Sequence, residues 1–183
     1  MLAEADRILA VFQALLRISN IEKGNTHPLV KEVDLGKIIH DVTELYEPLA
    51  EERQISLHLT TEPDVKIRGD HDLLFQLFAN VLDNAIKFAP PASQIKIAAT
   101  ADKDHVTAYI EDAGVGIADD EKEKVFKHFY RVEASRSKVG NGLGLSLVRA
   151  IAEQHRAQIT LEDSKPGLRV KILFQPYQKF RIA

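Results

Sequence analysis

No cysteine occurs among the 183 residues. Disulfide staples, thiolate nucleophiles and zinc–thiolate sites are therefore excluded. No apolar run approaches the ~20 residues of a membrane span and no secretory signal is visible, so direct membrane contact by this chain is not expected. An excess of one charge is lacking too. The 24 basic and 27 acidic residues leave a net charge of −3, without the basic footprint of a nucleic-acid binder. Seven histidines, at 27, 40, 58, 71, 105, 128 and 155, are scattered singly and read as structural or exposed. The remainder is 45% hydrophobic and 28% charged, ordinary for a folded core, and the length suits about one domain with an appendage.

Residues 73–88, LLFQLFANVLDNAIKF, carry no Gly or Pro and place Leu74, Phe75, Phe78, Val81, Leu82, Ala85 and Ile86 as a core-packed helix would. At about 100° per residue, Asn84 lies roughly 40° from Asn80 and Lys87 roughly 20° to its other side. One narrow edge thus holds two amides and an ammonium. A solvated face is the ordinary reading of a lone Asn or Lys. Asn is a mediocre helix former, however, so two of them one turn apart, followed by Lys, favour use. Amide oxygens suit Mg²⁺ when phosphates supply its other ligands, and Lys87 would meet a phosphate as a point charge.

The run HVTAYIE, 105–111, alternates as a strand and delivers Asp112 to the glycine turn DAGVG. Asp-x-Gly by itself is a turn. Gly116 and the apolar Ile117 add a wall that a flat ring could approach closely. There a carboxylate accepts a hydrogen bond from the exocyclic amine that adenine has and guanine lacks at that ring position. Further on, GNGLGL at 140–145 opens the helical run LGLSLVRAIAEQH. Its unpaired N–H groups and dipole suit an anion, although the glycine spacing is neither a Walker A loop nor a dinucleotide fingerprint.

The remaining pattern supplies the frame. A helical stripe over 2–22 ends at Gly24, and Asp34 caps a second helix that Pro48 is expected to bend or shorten. ISLHL, VKIR, QIKIAAT, HVTAYIE, QITLE and LRVKILF are candidate strands. The expected fold is α+β: a two-layer α/β sandwich whose mixed sheet is covered on one face by helices starting near 34, 70 and 142, preceded by one long N-terminal helix.

In their order and spacing these segments resemble the N, G1, F and G2 boxes of the sensor histidine kinases, members of the Bergerat-fold (GHKL) ATPase group, over nearly the whole chain. That resemblance implies ATP and Mg²⁺ as ligands. Asn84 is then the principal metal ligand, Asn80 lines the metal and phosphate region, and Lys87 and Arg131 reach the phosphates; Asn80, Lys87 and Arg131 form the catalytic set. Asp112 binds the adenine amine in a pocket shaped by Gly114 and Gly116, with Phe88 and Ile117 also in contact. VFKHFYRVEASR, 125–136, looks like the F box, in which Phe126 and Phe129 anchor a mobile lid over 131–141 and Tyr130 joins the nucleotide contacts. Gly140, Asn141, Gly142, Leu143, Gly144 and Leu145 match the G2 box, with Asn141 where a small hydroxyl residue is more usual.

The same resemblance divides the chain into a partial dimerisation hairpin (1–24), a linker (25–33) and a catalytic ATP-binding domain (34–183). It implies self-association through the first helix and a response-regulator receiver domain as partner. The fragment is expected to be cytoplasmic, with any membrane anchor elsewhere in the parent. It is also expected to lack the phosphate-accepting histidine: the pattern of His, acid and downstream Pro is read nowhere in the chain, and His27–Pro28 lies in the linker without that context. Two other readings stay open: a Bergerat-type ATPase, in which a Glu stands where this chain has Asn80, and a non-catalytic nucleotide-binding scaffold.

Overall fold

The computed structural model describes residues 12, 15–23, 31–132 and 141–176. The start of the first helix, Gly24 with the 25–30 part of the linker, the 133–140 part of the lid including Gly140, and the C-terminal tail lie outside them. The elements run α1 (15–22), β1 (Lys31–Asp34), α2 (Leu35–Glu52), β2 (Ser56–Thr61), β3 (Lys66–Gly69), α3 (His71–Phe88), β4 (Gln94–Ala101), β5 (Val106–Glu111), a 3₁₀ turn (Lys124–Phe126), α4 (Gly144–Gln154), β6 (Gln158–Asp163) and β7 (Leu168–Phe174).

Five strands form one mixed sheet in the order β2-β4-β5-β7-β6, in which only β2 and β4 run parallel. The α+β sandwich is as expected, with two differences. VKIR does not join this sheet. It forms β3 and pairs antiparallel with β1, so residues 31–33, expected as linker, are a strand. Pro48 does not end α2, which continues to Glu52; burial of Val42 on one side of it and Ala50 on the other keeps the axis on the core.

Period-two alternation sends Ile95, Ile97 and Ala99 of β4, Val106, Ala108 and Ile110 of β5 and Val170, Ile172 and Phe174 of β7 inward. Onto that face α3 packs with Leu73, Leu74, Leu77, Phe78, Val81, Leu82, Ala85 and Ile86 buried, and the Phe78 and Phe174 rings meet at 6.5 Å. Both ends of α3 are held. Asp70 accepts from the amides of Asp72 (3.0 Å) and Leu73 (3.1 Å), while Arg53, just past α2, donates to the carbonyls of Ile86 and Ala89, covering the acceptors that a helix end leaves open. His155, at the end of α4, accepts from the Asp70 amide at 3.0 Å and donates to Ile151 O at 2.7 Å. Burial lowers its pKa. The neutral ring thus ties the end of α4 to the start of α3.

Leu77 is fully buried whereas Leu45 of α2 is 61% exposed. Leu77→Ala is expected to cost about 2–5 kcal/mol of unfolding free energy, and Leu45→Ala within about 0.5 kcal/mol of nothing. Urea titrations of both variants check this, and a similar loss in each would contradict the assigned core.

Candidate functional site

With its apolar half against the sheet, α3 turns Asn80 and Asn84 toward the start of α4; these two and Lys87 are partly buried. The Asn80 amide nitrogen donates to Gln76 O at 2.8 Å, which leaves Oδ1 as its outward acceptor. A Cβ on Gly144 would stand 3.3 Å from Asn80 Oδ1 and 3.5 Å from Asn84 Nδ2. The two helices therefore close on each other where α4 begins. Leu143, the cap residue, gives that end no side-chain acceptor, an arrangement that could receive an anion. Lys87 pairs with Asp83 one turn back, at 2.5 Å.

Asp112 follows β5 in the inward register of Ile110, so period two sends its carboxylate toward the core, where the residue is 7% exposed. The Gly114 amide donates to Oδ1 at 2.7 Å. Burial pushes the carboxyl pKa above the ordinary aspartate value, and the amides of Gly114 and Leu168 oppose that by favouring the anion. Gly114 lies against the Phe88 carbonyl, where a Cβ would come within 2.8 Å. This brings the end of α3 to the Asp112 turn. Gly116 and Ile117 continue it, half-buried.

The segment expected to anchor the lid contains a single 3₁₀ turn, Lys124–Phe126. Phe126 is buried beneath the Arg149 guanidinium, 4.2 Å from the ring centre. Phe129, expected to anchor as well, is 55% exposed. Its backbone is left-handed (φ 62°) and its amide donates to Gly142 O at 2.9 Å. Gly142 in turn has φ +67°, with a Cβ position 2.8 Å from Phe129 C and 2.9 Å from Tyr130 O. The two segments are interlocked through backbone. Tyr130 OH donates to Glu121, which also pairs with Lys124 at 2.9 Å. Arg131 and Asn141 are half-buried at the two edges of the described segments.

Asn80, Asn84, Gly144 and the start of α4 form one cluster, with Asp112, Gly114 and Phe88 adjoining through α3. Residues 164–168, which contact Asp112, were missed. Their Pro-Gly pair signals a turn, but nothing local points to a partner 52 residues away. The histidine pattern needs correction as well: His40, Asp41 and Pro48 do supply His, acid and downstream Pro in order. They lie on the outer side of α2. There His40 Nδ1 is 3.8 Å from both Asp41 and Glu44, and the ligating atoms of all three fall within 4.8 Å of one another, an exposed and mutually paired group.

Residues 69–178 match the family described as histidine kinase-, DNA gyrase B-, and HSP90-like ATPase. The chain is 31% identical over 169 residues to the sensor-like histidine kinase SenX3 of Mycolicibacterium smegmatis, covering 91% of this chain and 44% of that protein. It superposes on the mycobacterial sensor histidine kinase MprB with a TM-score of 0.70 at 27% identity, covering 82% of this chain and 100% of that one. On the nucleotide-free catalytic domain of histidine kinase ThkA the TM-score is 0.73 at 26% identity, with coverage of 80% and 95%. The chain spans less than half the length of the SenX3 relative. It belongs to the histidine kinase-, DNA gyrase B- and HSP90-like ATPase family, as a catalytic domain of the sensor histidine kinase kind.

The Gly142 interlock makes a contrast. Gly142→Ala is expected to lower unfolding free energy by about 1–3 kcal/mol, because a left-handed backbone and an overlap with Phe129 must both be relieved. Gly144→Ala, at a helix start where the nearest atoms are 3.3 Å away, is expected to melt close to the wild type. Thermal unfolding without nucleotide compares them; equal melting points would remove the interlock.

Proposed function

We propose that this chain binds Mg·ATP across α3, the 112–116 turn and the start of α4. In its parent protein the γ-phosphoryl then passes to a histidine nitrogen, for relay to an aspartate of a response-regulator receiver domain. The observation that carries this reading is the convergence of Asn80 and Asn84 on the uncapped start of α4, with one buried carboxylate, Asp112, at the adjoining strand end.

Each residue then has a role. Asp112 accepts the adenine amine, while Gly114, Gly116, Ile117 and Phe88 border the ring. The amides opening α4, from Gly142 to Leu145, receive phosphate oxygens. Lys87, exchanging Asp83 for a phosphate, adds positive charge together with Arg131. A site of two amides without a carboxylate fits Mg²⁺ that takes most of its ligands from phosphate and water, and Asn84 with Asn80 Oδ1 would hold it. Bound there, the ion would neutralise charge on the phosphate oxygens. Transfer is then a matter of positioning. Asn80 has no carboxylate with which to activate water, which favours transfer over hydrolysis. Use of ATP places the domain on the cytoplasmic side, and α1 would pair with its twin in a second copy.

Calorimetry tests the site. ATP is expected to bind more tightly than GTP by about 5- to 150-fold, since an unmatched buried polar group costs roughly 1–3 kcal/mol. Asn84→Ala is expected to abolish the Mg²⁺ dependence. Equal affinity for the two nucleotides rejects the adenine assignment, and an undiminished metal effect in Asn84→Ala rejects the metal site. Labelled ATP with an added dimerisation domain bearing an acceptor histidine should give acid-labile phosphate; binding without labelling would favour a scaffold.

A pH series adds the sign. The Asp112 pKa is raised by burial, so its carboxylate takes up a proton at a higher pH than an ordinary aspartate. ATP affinity is therefore expected to fall, on acidification, before an ordinary aspartate would protonate. Asp112→Ala should lose that step, and an identical profile in the variant would assign it to another group.

A further inference from the structure

We infer that the β6–β7 turn, through Ser164, Gly167 and the Leu168 amide, fixes the position of the Asp112 carboxylate and so sets how strictly the site selects its base. This rests on the adenine reading of Asp112. The turn grips that residue from three directions. The Ser164 hydroxyl lies 3.1 Å from Asp112 O and 2.9 Å from Pro166 O, so its single proton is shared between the two carbonyls. The Asp112 amide donates to Leu168 O at 2.9 Å, and the Leu168 amide donates back to the carboxylate. Gly167 passes between them with φ +113°, and a Cβ there would stand 1.8 Å from Asp112 O and 2.9 Å from Ala113 Cα. Only a residue without a side chain lets the turn come this close.

The other side of the turn is tied down as well. The Ser164 amide donates to Gly167 O at 3.2 Å, and Lys122 bridges Asp119 at 2.6 Å and Asp163, just before the turn, at 2.8 Å. Gly167 O also sits 3.2 Å from where a Cβ of Gly116 would be. The turn is therefore seated against the Gly116 side of the 112–116 loop, and a shift of Ser164 or Gly167 moves the carboxylate relative to any ring bound over that loop. In this arrangement Ser164 is a positioning residue. It bonds to the backbone of Asp112 and leaves the carboxylate to the ligand.

The test measures ATP and GTP dissociation constants for the whole chain with Ser164→Ala, Ser164→Thr and Asp112→Ala. Removing one hydrogen bond should cut the ATP-over-GTP preference of Ser164→Ala by about 2- to 10-fold, while Ser164→Thr, which keeps the hydroxyl, restores it. The pH at which ATP affinity falls should shift in Ser164→Ala as well. Gly167→Ala should have a larger effect, and Ser164→Ala decides the matter if that variant does not fold. A preference unchanged in Ser164→Ala, or equal weakening of ATP and GTP, while Asp112→Ala abolishes the preference, overturns the role of the turn alone. If Asp112→Ala also keeps the preference, the adenine reading fails and this inference with it.

Discussion

The site depends on how α3 is seated. Eight of its residues are buried against the sheet and the neighbouring helices, so the helix cannot rotate without exposing apolar surface at roughly 25 cal/mol per Å². Its ends are fixed by Asp70 at one side and Arg53 at the other. Because rotation and translation are both blocked, the edge carrying Asn80, Asn84 and Lys87 has one direction in which to face. The core thereby aims the polar residues before any ligand arrives, which is the preorganisation that positioning chemistry requires.

Asp112 follows the opposite logic. Its burial is unfavourable to the charged form, and the fold tolerates it because backbone amides from Gly114 and Leu168 are directed at the carboxylate. A strand one residue shorter would have placed Glu111 at the turn. Glu111 instead points to the open face of the sheet, where Lys96 and Arg169 pair with it. Two adjacent acids thus have different fates because successive side chains of a strand leave on opposite sides. One joins a ladder of charge pairs and the other, on the proposed reading, becomes the acceptor for the base.

The sequence made α3, β5 and the glycine start of α4 legible because each is announced by local periodicity or by glycine spacing. β1 was not: four residues of strand, Lys31–Asp34, owe their conformation to pairing with β3 some thirty residues on. The orientation of Asn80 was equally hidden, since it comes from a bond to Gln76 O that any helix offers and few side chains take. Phe129 was expected as an anchor from the resemblance of its segment to the F box, and the local path of the chain was not legible. The chain leaves the helix after Phe126, and Phe129 takes a left-handed backbone to reach Gly142.

The two sides of the pocket are held by forces of different kinds. Its floor is α3 on the sheet, fixed by close apolar packing that neither salt nor pH weakens much. Its rim, residues 119–131, rests on Lys122 with Asp119 and Asp163, Lys124 with Glu121, Tyr130 with Glu121, and Arg149 with Glu123. These are exposed or half-buried pairs, each contributing modestly to stability. Only Val125 and Phe126 are buried there. Local opening begins where apolar contacts are fewest, so the rim gives way before the floor once the Phe126–Arg149 and Phe129–Gly142 contacts are released, and the floor keeps Asn80, Asn84 and Asp112 in register. On the proposed reading, a nucleotide would then enter and leave without Asn80, Asn84 and Asp112 having to be reassembled each time.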